Sequence, residues 1–222
     1  MTGKLFLSGG GNEKQTYGID EFLLKDVKNI LYIPVAWKNN DFESCRNWFI
    51  NAMEQHKKVE INMLTNLTKS PDLKNYDAVY IGGGNTFKLL KEIRESGFDE
   101  KLLRYYDNGG KIYGGSAGAI IWGRDINIAL ICADADVNDV NLKNTRGFDK
   151  LNGHDIQCHY ENSQLKENQD FIRKTKAPMI AIPEESALLV EDGKYRVIGT
   201  KSLTLITEKT SKSFKPNSEF SL

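Results

Sequence analysis

The stretch KIYGGSAGAIIW, residues 111–122, joins an apolar strand, a glycine turn and a helix-like segment. Its centre fits the pattern G-x-S-x-G, in which a serine sits on a sharp turn between strand and helix with its hydroxyl projecting from the sheet. Glycine at positions 114 and 118 lets the strand and the helix approach closely without a Cβ clash. The stretch therefore predicts that Ser116 is a nucleophile. The alternative is a helix N-cap serine after a glycine turn.

Other short runs resemble the strand in this stretch, because they are apolar, rich in β-branched or aromatic residues and followed by glycine or proline. They lie at 5–7, 30–33 and 78–81, and segments with helical periodicity lie between the strands at 41–55, 86–94 and 100–106. This alternation predicts an α/β fold, a three-layer α/β/α sandwich with a mostly parallel sheet. In the last third, strand candidates lie at 156–158, 179–182, 187–190, 195–198 and 203–206, where we expect the sheet to become antiparallel.

Length and charge limit the classes of protein to which the chain can belong. Its 222 residues suit one domain, 1–222, in which residues 210–222 form a polar tail of the kind that is often disordered. Lys plus Arg and Asp plus Glu both total 30, so no global positive field would hold a nucleic acid or an anionic membrane. The apolar run 5–7 is too short for a signal peptide or a membrane span, which predicts a cytoplasmic protein.

Cysteine usage indicates neither disulfides nor a metal centre. The three cysteines, Cys45, Cys132 and Cys158, are an odd number and lack C-x-x-C spacing, so we expect buried, reduced thiols. A glycine turn, Gly9-Gly10-Gly11, follows the first strand, but neither of the phosphate-binding patterns G-x-G-x-x-G and G-x-x-x-x-G-K is complete. Nucleotide binding is therefore the weakest of the functional hypotheses.

A serine hydroxyl needs a base, and the chain contains three histidines. His56 ends an amphipathic segment beside two lysines, and His154 lies in a turn-like stretch. His159 follows the strand candidate 156–158, where a rigid scaffold can aim its ring, so it is the favoured base. Cys158 and His159 are neighbours in a predicted extended segment, where successive side chains point to opposite faces, which argues against a nucleophilic pair between them.

A carboxylate should orient the histidine, and backbone amides should stabilise the oxyanion. Glu184 and Glu185 follow the strand candidate 179–182, while Asp134, Asp136 and Asp139 form a competing set after the serine turn. The amide of Ala117 is the usual first oxyanion donor in a turn of this type. The second donor is expected from the glycine turn 82–85, for which a purely structural turn is the alternative.

Several motifs occur together and in order along nearly the whole chain. The combination resembles peptidase family S51, which contains dipeptidase E and cyanophycinase; the matching residues are Gly82-Gly83-Gly84-Asn85-Thr86-Phe87 with Leu89-Leu90, Gly115-Ser116-Ala117-Gly118-Ala119, Gly147-Phe148-Asp149 with His159, and Ile182-Pro183-Glu184. The resemblance implies a fold similar to that of class I glutamine amidotransferases, with serine in place of the cysteine.

The resemblance also implies roles for individual residues. Ser116 becomes the nucleophile, His159 the base and Glu184 the third member of a triad, with Asp136 or Asp139 as the alternative third member. Gly84 and Ala117 match the family's oxyanion donors. Dipeptidase E has a longer loop with a substrate-binding arginine between the histidine and the glutamate; Lys166 or Arg173 would have to replace it in this shorter segment, so strict aspartyl specificity is not expected.

The leading functional hypothesis is a serine peptidase that acts on short peptides through an acyl-enzyme and needs neither metal nor organic cofactor. The second hypothesis is a non-catalytic, ligand-binding relative with the same fold, in which Ser116 would be a cap. Either could be a monomer or a homodimer.

Overall fold

A computed structural model describes residues 2–37 and 40–222. The main sheet has eight strands: β1 (Lys4–Ser8), β2 (Asn29–Ile33), β3 (Glu60–Met63), β4 (Ala78–Ile81), β5 (Lys111–Gly115), β8 (Ser186–Glu191), β9 (Lys194–Gly199) and β12 (Glu219–Phe220). Their order across the sheet is β12-β9-β8-β1-β5-β4-β2-β3. Strands β1 to β5 are parallel, and β8, β9 and β12 continue the sheet in antiparallel pairs beside β1.

Helices cover both faces of this sheet, as the alternating pattern predicts. They are α1 (Tyr17–Leu24), α2 (Phe42–Glu54), α3 (Thr86–Glu95), α4 (Phe98–Asp107) and α5 (Ala117–Ile120). Side chains of β2 alternate between two apolar clusters: Tyr32 packs with α1 and α2, whereas Leu31 and Ile33 pack with α3, α4 and α5. The three-layer α/β/α architecture is confirmed.

Four further strands form a second, smaller sheet. They are β6 (Asp155–Gln157), β7 (Met179–Ala181), β10 (Leu203–Ile206) and β11 (Ser211–Phe214), in the order β11-β10-β7-β6, and they accompany α6 (Leu165–Thr175). Short 3-10 helices lie at Leu67–Lys69, Leu73–Asn75, Ile126–Ile131 and Asn162–Gln164. The small sheet packs into the same apolar cluster as α3, α4 and α5.

The last third of the chain is therefore divided between two sheets, where the sequence predicted one sheet that turns antiparallel. Strands β8 and β9 join the main sheet, while β6, β7 and β10 belong to the small one, in which β6 and β7 are parallel. Partners distant in the sequence decide this division. The local apolar pattern is alike in both groups of strands and does not encode it.

The C-terminal segment is a correction, because the disorder expected for residues 210–222 is not observed. Strand β11 pairs with β10, and β12 pairs with β9. Phe214 and Phe220 stack with ring centroids 4.0 Å apart, and Phe220 also stacks on Tyr195. Two aromatic anchors and two backbone pairings order a segment that is polar in composition.

Asp20 of α1 is an acidic side chain buried in the layer between this helix and the sheet. Its Oδ2 accepts a hydrogen bond of 2.7 Å from Oγ1 of Thr16, and its Oδ1 has no hydrogen-bond partner among the described residues. Burial raises the pKa of Asp20 to about 7, although the Thr16 hydrogen bond opposes this. The carboxyl group of Asp20 in the unfolded chain has an ordinary pKa of about 4. Between about pH 4 and about pH 7, the folded protein therefore keeps a proton on Asp20 that the unfolded chain has lost.

This proton makes stability fall as the pH rises from about 4 to about 7. We expect Asp20→Asn to remove this pH dependence. The unfolding free energy of the variant minus that of wild type should therefore be about 2 kcal/mol larger at pH 7.5 than at pH 5. Urea denaturation of both proteins at the two pH values measures the gain. A difference between them that does not change with pH would contradict the assignment.

No helix within residues 2–37 and 40–222 has the length and apolar composition that spanning a bilayer requires.

Candidate active site

Ser116 lies between β5 and α5, at the carboxyl edge of the parallel strands. Its backbone angles, φ 50° and ψ −112°, are unusual for a residue with a side chain, as a sharp strand-to-helix turn requires. The N–H of Ser116 donates to the carbonyl of Ser8 at 3.1 Å, which ties the turn to the end of β1. A Cβ at Gly114 would lie 2.2 Å from the carbonyl oxygen of Gly118, so only glycine allows this turn to close.

His159 faces this serine from the end of the small sheet. Nε2 of His159 lies 2.8 Å from Oγ of Ser116. His159 follows β6 by two residues, has a φ of 54°, and donates its backbone N–H to the carbonyl of Gly9 at 3.0 Å. The side chain predicted from sequence as the base therefore meets the predicted nucleophile, although the two belong to different sheets.

Glu184 is the carboxylate that hydrogen-bonds the histidine. Its Oε1 lies 2.8 Å from Nδ1 of His159, and its Oε2 accepts a bond of 2.6 Å from Nε2 of Gln15. Burial disfavours the charged carboxylate, but the hydrogen bonds from His159 and Gln15 outweigh it and lower the pKa of Glu184 below its ordinary value. Glu184 is thus ionised at neutral pH and can hold the Nδ1–H tautomer of the ring.

The competing carboxylates occupy other positions. Oδ2 of Asp136 accepts hydrogen bonds from the N–H and Oγ1 of Thr86, at 2.8 and 2.6 Å, at the start of α3. Asp139 is exposed on the loop after α5. Glu185 forms an ion pair of 2.8 Å with Lys201. These contacts leave Glu184 as the acid in hydrogen-bond contact with His159.

The two remaining histidines and Cys158 make contacts outside the hydrogen bonds that join Ser116, His159 and Glu184. The ring of His56 packs against that of Tyr17 in a tilted arrangement with centroids 4.1 Å apart, and Nδ1 of His154 hydrogen-bonds to the carbonyl oxygen of Leu151 in its own turn. Cys158 is fully buried beneath the turn, with its thiol 3.5 Å from the carbonyl oxygen of Ser116. The φ of 54° at His159 shows that the backbone is not extended there, so the alternation of side chains expected from sequence does not apply to this pair.

Backbone amides border the serine on its other side. A Cβ at Gly83 would lie 3.3 Å from Cβ of Ser116, which places the glycine turn 82–84 directly beside it. The N–H of Ala117 is the first of α5 and so has no acceptor within its own helix. In the hydrogen bonds formed among the described residues, the amides of Gly83, Gly84 and Ala117 are not used as donors. These amides therefore have no hydrogen-bond acceptor within the described part of the chain.

The profile of peptidase family S51 matches residues 5–198 of this sequence. The chain belongs to family S51. It is therefore a hydrolase that acts on peptides, in a family of serine peptidases. The chain is 26% identical over 187 residues to Peptidase E of Haemophilus influenzae, and this match covers 79% of this chain and 82% of the relative. Over 200 residues it is also 26% identical to Peptidase E of a Nostoc species, with 84% and 79% covered.

A solved structure shares the fold of this S51 member. The crystal structure of a peptidase from an acI-B1 Actinobacterium superimposes with a TM-score of 0.77 and 18% sequence identity, and the match covers 100% of this chain and 98% of the other. At this identity the likeness concerns the fold alone. It confirms the α/β sandwich predicted from the alternating strands and helices.

A cavity of about 500 Å³ opens beside Ser116 and His159 in this S51 peptidase. Its described lining combines glycines of the three turns with aromatic and acidic side chains; the aromatic residues are Tyr32, Trp37, Trp48, Tyr80 and Tyr113, and the acidic ones are Asp41, Asp134 and Asp136. Of the described residues that line it, none is a lysine or an arginine. Within residues 2–37 and 40–222, no three His, Cys, Asp or Glu side chains are grouped closely enough to hold a metal ion.

Two residues suggested as substrate ligands lie elsewhere. Lys166 and Arg173 are exposed on α6, and Arg173 forms an ion pair with Asp170 of the same helix. Neither belongs to the described lining of the cavity.

The loop between β1 and α1, residues 9–16, is the part of the site that sequence reasoning missed. The sequence of Gly9-Gly10-Gly11 indicates only a weak phosphate-binding turn, yet a Cβ at Gly10 would lie 2.4 Å from Cε1 of His159. Gln15, in the same loop, bonds Glu184. A usable signal was present, because this glycine run follows a predicted parallel strand and so had to reach the same edge as Ser116.

Proposed function

We propose that this S51 peptidase hydrolyses short peptides through an acyl-enzyme, with Ser116 as nucleophile, His159 as general base and Glu184 as the acid that orients it. The observation that carries the proposal is the continuous hydrogen-bonded series of these three side chains, with both contacts 2.8 Å long. An activated serine requires this arrangement of nucleophile, base and orienting group.

In the proposed reaction, Oγ of Ser116 attacks the scissile carbonyl while Nε2 of His159 takes the hydroxyl proton. Glu184 stabilises the imidazolium that forms. His159 then returns the proton to the leaving amine, and the C–N bond breaks to leave an ester on Ser116. A water molecule, deprotonated by the same histidine, hydrolyses the ester and releases the acid product.

The amides of Ala117 and Gly84 are proposed to donate to the oxyanion, a contribution worth about 3 kcal/mol for each donor. Gly84 has a φ of 131°, and a Cβ there would lie 2.0 Å from the carbonyl oxygen of Ala36. Glycine is therefore required to bring this part of the turn to its position. The neighbouring Asn85 caps α3 by accepting from the N–H of Lys88, which keeps the turn rigid.

Short peptides fit the size of the site, since about 500 Å³ accommodates only a few residues. The test of the proposal is hydrolysis of a set of dipeptides and longer peptides by wild type and by the Ser116→Ala variant. Hydrolysis that depends on Ser116 supports the proposal.

The charge of the cavity also predicts a preference among substrates. Because the described lining contains three aspartates and no cationic side chain, an acidic substrate side chain meets like charges there. We expect Asp-containing dipeptides to have kcat/KM values about tenfold below those of matched Lys- or Ala-containing dipeptides. Asp134→Asn, at an exposed position on the cavity wall, should narrow this gap. Preferred hydrolysis of the Asp dipeptides would contradict the prediction.

A further inference from the structure

Gln15 makes the second contact of the Glu184 carboxylate. Its Nε2 lies 2.6 Å from Oε2 of Glu184, while Oε1 of Glu184 faces His159 at 2.8 Å. Each carboxylate oxygen thus has its own donor, one from the base and one from a neutral amide. Glu184 is partly exposed, with 35% of its side chain accessible, so without this second donor the carboxylate could rotate toward water.

The orientation of the Gln15 amide is determined by its other end. Oε1 of Gln15 accepts the backbone N–H of Asn12 at 2.9 Å, and an N–H can only donate. The amide therefore cannot flip, and its NH₂ group must face Glu184. Asn12 is itself fixed, because its carbonyl accepts from the backbone N–H groups of Gln15 and Thr16, each at 3.0 Å.

Glycines give the loop the close approach that this contact needs. A Cβ at Gly11 would lie 3.1 Å from the Cβ atoms of both Gln15 and Glu184, at a φ of 102° that disfavours side chains. Gly10 makes room for the His159 ring in the same way. The loop thus contacts both the base and its carboxylate.

We propose that Gln15 is a positioning residue for the triad, which holds Glu184 in the rotamer whose Oε1 faces Nδ1 of His159. This inference rests on the proposed function. Gln15 acts through Glu184, and only on the two steps in which the imidazolium forms, the attack by Ser116 and the hydrolysis of the ester. Its loss should therefore lower kcat and leave substrate binding unchanged.

Gln15→Met tests this, because methionine keeps the length of the side chain and removes the amide. We expect kcat for peptide hydrolysis to fall about 10- to 100-fold, by analogy with the loss of the hydrogen-bond partners that orient metal-binding side chains, with KM changed less than twofold. Gln55→Met is the matched control: Gln55 is exposed at the end of α2, and the same replacement there should leave both constants unchanged.

Gln15→Glu separates positioning from a general effect on folding. At neutral pH its carboxylate would face that of Glu184, so activity should be as low as in Gln15→Met. As the pH falls, the new carboxyl group gains a proton that it can donate to Oε2 of Glu184. The ratio of the Gln15→Glu rate to the Gln15→Met rate should therefore rise toward acid pH, which a merely structural residue would not produce.

Two results would overturn the inference and leave the peptidase proposal intact: a wild-type kcat in Gln15→Met, or Gln15→Glu and Gln15→Met rates in a constant ratio at every pH. Failure of the proposed function is distinguishable, since wild type itself would then neither hydrolyse peptides nor react with a fluorophosphonate serine probe.

Discussion

Peptide hydrolysis falls by at least about 10⁴-fold when Ser116 is replaced by alanine, if the hydroxyl is the nucleophile. The substitution removes one oxygen atom, which contacts Nε2 of His159 at 2.8 Å, and it retains the Cβ that already fits the turn. The backbone hydrogen bond from Ser116 to Ser8 also remains. Folding should therefore be preserved while acyl-enzyme formation is lost. Circular dichroism measures the first and kcat/KM for peptide hydrolysis the second.

Ser213→Ala is the control, because Ser213 is exposed on β11 and its loss should leave activity unchanged. Retained hydrolysis in Ser116→Ala would show that another group attacks the substrate. A wild-type protein that neither hydrolyses peptides nor reacts with a fluorophosphonate probe would instead favour the ligand-binding hypothesis. The capping role expected for Ser116 under that hypothesis is not observed, because its side chain makes no hydrogen bond to the start of α5.

Gly118→Ala should destabilise the protein by about 3 kcal/mol, the upper part of the range for overpacking a rigid site. The added Cβ would lie 2.3 Å from the carbonyl oxygen of Ile81 and 3.0 Å from its carbonyl carbon. Both atoms belong to the backbone of central strand β4, which cannot give way as a flexible side chain would. The strand and the helix would have to separate, and the serine turn would open with them.

Gly18→Ala provides the matched comparison within α1. A Cβ at Gly18 meets no heavy atom within 4 Å, so the same chemical change should be neutral or stabilise by up to about 1 kcal/mol through helix propensity. Urea denaturation of the two variants gives the contrast. Equal stabilities for both variants would mean that the turn tolerates a side chain and that its glycines are not required.

The parts of the structure that sequence could predict are those encoded by short segments. The turn at Ser116 follows from adjacent residues, and His159 could be selected because only three histidines compete. Strands β1, β2, β4 and β5 combine apolar composition with a terminating glycine or proline. Strand β3 lacks this signal, because it lies at the sheet edge and its polar residues Glu60 and Asn62 alternate with Ile61 and Met63.

Features that depend on partners distant in sequence could not be predicted. Nothing local distinguishes the strands of the small sheet from those of the main sheet, and the pairing of β11 and β12 orders residues that composition alone marks as a tail. The contact of Gln15 with Glu184 joins residues 169 positions apart, and a lone glutamine carries no motif. The aspartates of the cavity wall are likewise assembled from two distant segments, since Asp41 precedes α2 while Asp134 and Asp136 follow the 3-10 helix Ile126–Ile131.

The nucleophile and its base are attached to different sheets, so the distance between Oγ of Ser116 and Nε2 of His159 depends on how the two sheets pack against each other. Ser116 extends from β5 of the main sheet, while His159 and Glu184 follow β6 and β7 of the small one. Sliding one sheet against the other by about 1 Å would stretch the 2.8 Å contact beyond hydrogen-bonding range. Substitutions of apolar residues between the two sheets should therefore change the reaction rate, even where those residues do not contact the substrate.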